Sequence, residues 1–142
     1  MGAFIAMLAA EYLANWDICK KELLWGVPRS GHAENAAGQV TPGDTIFVWR
    51  SSSARAPGGL FARARATSRA VPAVNPPWPD HDRYSFVFSI EVTDELPVPI
   101  GDRFPGNRNS ILFGLPNIAV NWGFGRISDG VERKMDVAFH RR

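Results

Sequence analysis

The sequence predicts an α+β fold, a small mixed β-barrel with one early helix, and three observations lead there. Short apolar or alternating runs recur between turn-forming residues, a single stretch near the start switches to helical spacing, and no strands alternate with long helical segments as a parallel βαβ sheet requires. The chain has 142 residues, the size of one domain able to bury an adequate core. With no internal repeat and no dividing linker, one domain over residues 1–142 is expected.

Taken in order, Ala3–Leu8 is apolar and suits an opening strand. From Ala9 the apolar spacing becomes helical through Leu13, Trp16, Cys19 and Leu23, and the helix is expected to stop near Trp25-Gly26-Val27-Pro28, because glycine and proline do not continue it. Ser30–Gln39 reads as a surface loop or short helical turn, and Thr41-Pro42-Gly43-Asp44 as a tight turn. Thr45–Trp49 is β-rich and apolar on both faces, the pattern of a central strand. Ser51–Gly59 is expected to be a loop. Leu60–Thr67 alternates so that Arg63 and Arg65 share one face and small alanines the other. After the proline-rich Val74–Pro79, Tyr84–Val92 alternates with Phe86, Phe88, Ile90 and Val92 on one side. Leu96-Pro97-Val98-Pro99 predicts an exit into a loop, Asn109–Leu115 a short helix or turn, and Val131–Arg142 a terminal strand or tail without a clear period.

Hydrophobic residues make up 45% and charged residues 21%, which excludes extensive disorder. The net charge is only +2, yet Lys20, Lys21 and Lys134 are the only lysines among 16 cationic residues, and arginine favours bidentate contacts to phosphate or carboxylate. The single cysteine, Cys19, excludes an internal disulfide and a multi-thiolate zinc site and fits a reducing, cytoplasmic setting. The apolar run Phe4–Ala10 lacks a basic flank and is too short to span a bilayer, so a soluble protein without membrane contact is expected.

Catalytic constellations are thin. His32, His81 and His140 are scattered without metal-ligand spacing, Ser51-Ser52-Ser53 has no nucleophile-elbow context, and the glycine pairs do not form a phosphate-binding fingerprint. Asp80-His81-Asp82 lies beside prolines, and three adjacent residues do not converge on one point as an acid–base pair must; it reads as a solvated turn. No enzyme, cofactor or metal is expected.

The five tryptophans carry more information. Trp25, Trp78 and Trp122 each sit beside turn or loop residues, where a ring held by the scaffold can offer a face to a flat ligand such as a nucleobase.

Here the order of residues resembles a known pattern. Asn15-Trp16-Asp17-Ile18-Cys19, Leu24-Trp25-Gly26-Val27-Pro28, Val40-Thr41-Pro42-Gly43-Asp44 with its apolar strand to Trp49, Gly58-Gly59-Leu60-Phe61, and Pro77-Trp78-Pro79-Asp80 resemble successive landmarks of EVE domains, over about Phe4 to Pro99. That resemblance implies a PUA-like mixed β-barrel with flanking helices, similar to YTH domains, and a non-catalytic module that holds a flipped or single-stranded modified base of DNA or RNA in an aromatic pocket. It implies that Trp25 and Trp78 are cage walls, that Asn15 reaches the base edge, and that Trp49-Arg50-Ser51 runs beneath the base. The second YTH tryptophan is Ala73 here, so the resemblance does not extend to a third wall. Arg50, Arg55, Arg63 and Arg65 would supply phosphate attraction, weakening with salt. Trp25→Ala is then expected to abolish binding and leave the fold intact. The alternative is a small-molecule or protein-interaction module on the same barrel, which the modest net charge and Ala73 favour.

Overall fold

The architecture is that of a computed structural model, in which residues 2–8, 14–50, 58–100 and 123–140 are described. The elements are β1 (Ala3–Leu8), α1 (Ala14–Glu22), β2 (Leu24–Pro28), α2 (Gly31–Ala37), β3 (Thr45–Arg50), β4 (Gly59–Ala66), β5 (Val71–Pro72), a 3₁₀ turn (His81–Arg83), β6 (Tyr84–Ile100), β7 (Phe124–Ile127) and α3 (Asp129–His140). Seven strands form one curled mixed sheet in the order β2-β6-β4-β3-β1-β7, with β5 added to β6. Only β1 and β3 run parallel among the described pairs; the rest are antiparallel. This is the α+β half-barrel expected of the sequence, and β3 lies inside the sheet between β1 and β4, as its two apolar faces require.

Strand alternation divides the core in two. Phe4, Ala6 and Leu8 of β1, Ile46 and Val48 of β3, and Ala62, Ala64 and Ala66 of β4 pack with Trp16, Cys19, Trp25, Trp78, Phe88 and the alanines of α2 on one face of the sheet. Ala3, Ile5, Phe47 and Trp49 point to the other face and pack under Val131, Met135 and Phe139 of α3.

Three local expectations are corrected. The early helix ends at Glu22, Leu23 takes a left-handed conformation (φ 55°), and Leu24–Pro28 is a strand rather than a helix end; its ladder with β6 outweighs the turn signal of Gly26 and Pro28. The proline-rich Leu96–Pro99 does not leave the sheet. β6 runs on to Ile100 because the register slips between Leu60 and Ala62, and a bulge accommodates prolines, which cannot donate to the ladder. Val131–His140 is helical, with Ser128 Oγ accepting from the Val131 amide (3.3 Å) at its start and Val131, Met135 and Phe139 four apart on its buried face. The expected elements in Ser51–Pro57 and Asn109–Leu115 lie outside the described residues.

The Thr41–Asp44 turn forms as expected. Gly43 takes φ 96°, and the buried Asp44 carboxylate accepts from the Thr41 amide (2.9 Å), the Thr41 hydroxyl (3.1 Å) and the Gly2 amide (2.9 Å), fastening the start of β1 to that of β3.

On the α3 side, the Arg63 guanidinium binds Asp94 of β6 at 2.7 Å and Asp136 of α3 at 2.5 Å. Partial burial of Asp94 would raise its pKa, but the hydrogen bonds from Arg63 and Thr93 and the Arg63 charge outweigh it and hold the carboxyl below its ordinary range. A depressed folded pKa contributes stability that is present above the unfolded carboxylate pKa and lost as pH falls through the folded value. Acid titration of thermal stability is therefore expected to show a loss beginning near the ordinary Asp pKa, about 4, and continuing below it. Asp94→Asn is expected to be less stable at neutral pH and to lose less on acidification.

Candidate functional site

At one end of the first core face, α1, β2 and the segment leading into β6 bring together Asn15, Trp16, Cys19, Trp25, Trp78, Asp80 and Tyr84. The helix period puts Asn15, Trp16 and Cys19 on its buried side. Trp16 meets Trp25 edge-on (6.5 Å between ring centres) and Phe61 likewise (5.3 Å), while its indole N–H donates to Glu95 Oε2 at 2.9 Å. Trp78 packs against Tyr84 with ring centres 5.0 Å apart.

Gly26 lies under that pair. A Cβ there would come within 2.9 Å of the Tyr84 ring and 3.0 Å of Trp78 Cζ3, so only glycine lets both rings lie on β2. Gly26→Ala is expected to displace Tyr84 and Trp78 and cost about 1–3 kcal/mol, the usual penalty of overpacking, read from denaturant unfolding.

The polar part of the site is a closed network. Asn15, only 5% exposed, donates from Nδ2 to Asp80 Oδ1 (2.8 Å) and to the Tyr84 hydroxyl (3.3 Å). Tyr84 donates its hydroxyl to Asp80 Oδ2 (3.0 Å), and Arg83 approaches the same oxygen at 3.4 Å. Burial and the neighbouring Asp80 charge push the Tyr84 phenol up to about 12, so it is a hydrogen-bonding hydroxyl at any ordinary pH. Cys19 is also pushed up to about 12, chiefly by burial, which makes it an unreactive thiol.

Two groups in this cluster stand out. The indole N–H groups of Trp25 and Trp78 are buried and have no hydrogen-bond partner among the described residues. The Trp78 indole also neighbours the Cys19 thiol, and that interaction opposes the rise in thiol pKa caused by burial; sulfur is a weak acceptor, so it does not fully satisfy the Trp78 donor. A buried donor without an acceptor costs about 1–3 kcal/mol, so each indole N–H calls for an acceptor from a water or a ligand.

The residues expected from the sequence are distributed unevenly. Trp25 and Trp78 both lie in the core on the first face of the sheet, and Asn15 bonds to Asp80 and to Tyr84, against which Trp78 packs. Trp25 and Trp78, however, are 4% and 2% exposed as residues, so they do not offer two open ring faces in this conformation, and Trp25→Ala removes part of the core rather than sparing the fold. Trp49 belongs to the cluster under α3, and the sheet separates it from the other two. Arg63 is held by Asp94 and Asp136, and Arg65 pairs with Glu91 at 3.1 Å, so both charges are already matched within the protein. Arg50 lies over the Phe61 ring, 5.5 Å from its centre. Ser51 and Arg55 lie outside the described residues.

Sequence reasoning missed Asp80 and Tyr84. The tripeptide Asp80-His81-Asp82 looked like a solvated turn, and for His81 and Asp82, both exposed, it is one. Asp80 differs because the 3₁₀ turn swings its carboxylate back beneath Tyr84, four residues on. The only sequence signal was Asp80's place directly after Trp78-Pro79.

No protein-family model and no curated protein matches the sequence. Solved structures do match in fold. A protein of Pseudomonas putida superposes with a TM-score of 0.66 at 16% identity, covering 95% of this chain and 97% of that one. The MmI1 YTH domain gives 0.65 at 12% identity over the full length of both chains. Human THYN1 in complex with DNA containing 5-methylcytosine gives 0.64 at 10% identity, covering 100% and 99%. The chain therefore has the fold shared by YTH domains and THYN1.

Proposed function

We propose that this protein is a non-catalytic nucleic-acid-binding module that takes one nucleobase, in single-stranded or flipped form and carrying a modification, into the site formed by Asn15, Trp25 and Trp78. The observation that carries this reading is the pair of buried indole donors without a full hydrogen-bond partner among the described residues. Nucleobase edges carry ring nitrogens and carbonyl oxygens that accept such bonds. A ligand acceptor would relieve the penalty of both donors, and the aromatic surroundings would return about 1–3 kcal/mol of stacking against the few kcal/mol needed to extrude a base. In this reading the indoles act through their N–H edges as well as their faces, and the covering side chains shift on binding.

Fold neighbours support the choice of ligand. One is bound to DNA containing 5-methylcytosine, and a second YTH structure, of mmi1, is a complex with RNA. Arg63 and Arg65 are matched internally, and in this reading phosphate attraction comes from Arg29, whose Nε donates only to the neutral Asp82 carbonyl at 2.7 Å, with Arg50 and Arg55.

The test is binding of single-stranded and duplex oligonucleotides carrying 5-methylcytosine, N6-methyladenine or no modification, at two salt concentrations. Tighter binding to one modified base, weakening with salt, is expected. Absence of oligonucleotide binding at low salt would overturn the reading, and salt-independent binding of a free nucleoside in its place would establish the small-molecule alternative.

A further inference from the structure

Resting on that reading, we infer that Asp80 is the positioning residue that fixes which way round the Asn15 amide faces, and that it thereby makes the site select a base with an exocyclic amino group over its carbonyl counterpart.

An asparagine amide carries a donor end and an acceptor end, and exchanging them reverses what it recognises. At Asn15 the choice is imposed by its neighbours. An ionised carboxylate is an acceptor only, so the Nδ2 end must face Asp80 Oδ1, where it lies at 2.8 Å; the reverse orientation would set the amide oxygen against the carboxylate. Tyr84 reinforces this. Its hydroxyl hydrogen is committed to Asp80 Oδ2 at 3.0 Å, so toward Asn15 it presents a lone pair, and it accepts the second Nδ2 hydrogen at 3.3 Å. Arg83, at 3.4 Å from Oδ2, adds a positive charge beside the carboxylate. Both donors of Asn15 are thus consumed within the protein, and its Oδ1 receives no hydrogen bond among the described residues. Toward a ligand Asn15 is an acceptor.

In the reading this inference rests on, the polar groups offered to the base are the Asn15 acceptor and the Trp25 and Trp78 donors. Cytosine and adenine carry an exocyclic amino donor, next to a ring nitrogen that accepts. Replacing the amino group by a carbonyl, as in uracil, thymine or hypoxanthine, sets oxygen against Asn15 Oδ1 and turns the ring acceptor into a donor facing an indole N–H. Sites built around buried hydrogen bonds reject such mismatches strongly.

The experiment measures affinity for oligonucleotide pairs that differ only in this exchange, namely 5-methylcytosine against thymine and adenine against hypoxanthine, with wild type, Asp80→Asn and Tyr84→Phe, each checked for folding by circular dichroism and thermal melting. Wild type is expected to prefer the amino member of the pair it binds by about tenfold or more. In Asp80→Asn, whose side chain accepts and donates, Asn15 can turn over, and the preference is expected to fall toward one. A role in stability alone would weaken both members equally. Tyr84→Phe is expected to keep the preference, since Asp80 remains. Equal wild-type affinity for both members would overturn this inference while leaving base binding standing, and needs no variant; so would an unchanged preference in Asp80→Asn. Failure of wild type to bind any of the oligonucleotides would overturn the underlying reading as well.

Discussion

Trp25→Phe and Trp78→Phe are expected to separate stability from binding, and Trp→Ala at either position to lose both. Each indole is almost wholly buried in the main core, so truncation to alanine is expected to cost about 3–5 kcal/mol, a large part of the about 5–15 kcal/mol that holds a domain of this kind together. Phenylalanine keeps most of the ring and deletes the N–H. Among the described residues that N–H has no full hydrogen-bond partner, so its removal breaks no such bond and relieves a desolvation penalty of up to about 1–3 kcal/mol, which offsets the lost ring volume. Denaturant midpoints of the phenylalanine variants should thus lie close to wild type. Binding should not be spared. If the ligand accepts a hydrogen bond from each indole, each Phe variant is expected to bind about tenfold more weakly, the equivalent of one buried hydrogen bond of about 1.4 kcal/mol. Phe variants that bind as wild type does would leave the two donors without a role in recognition.

Met135→Ala is expected to behave in the opposite way. Met135 is completely buried on the inner side of α3, in a cluster with Phe47, Trp49 and Phe139, on the face of the sheet away from the site. Its truncation is expected to cost about 2–5 kcal/mol in unfolding free energy. Oligonucleotide affinity, measured well below the melting transition, should be unchanged, because no member of the α3 cluster touches Asn15, Trp25 or Trp78. Reduced affinity in this variant would mean that the two faces of the sheet are coupled.

How much of this was legible in the sequence depended on whether the signal was local. The turn at Thr41–Asp44 and the alternation of Tyr84–Val92 were readable because the physics that sets them lies within a few residues. The continuation of β6 through Pro97 and Pro99 was not, since the bulge that permits it belongs to the pairing with β4. The period of α3 was present in Val131, Met135 and Phe139, but polar residues between them and the unassigned segment before it obscured the pattern. For the site, the resemblance pointed to Asn15, Trp25 and Trp78 as pocket residues, whereas the depth of the two tryptophans was not legible. Trp49 was misplaced because one residue of strand register decides which face of a sheet a side chain takes, and Phe47 and Trp49 share the α3 side. The pairing of Arg63 with Asp136, 73 residues on, depends wholly on where α3 docks.

The most direct test of the account is the indole N–H region of the proton–nitrogen NMR spectrum, where the five tryptophans give separate signals that single Trp→Phe variants assign. On addition of the oligonucleotide bound most tightly, the Trp25 and Trp78 signals should shift downfield and exchange more slowly with solvent as each gains an acceptor, while Trp16, already bonded to Glu95, and Trp49, beneath α3, stay in place. Saturating ligand that leaves both the Trp25 and Trp78 signals unmoved would contradict it.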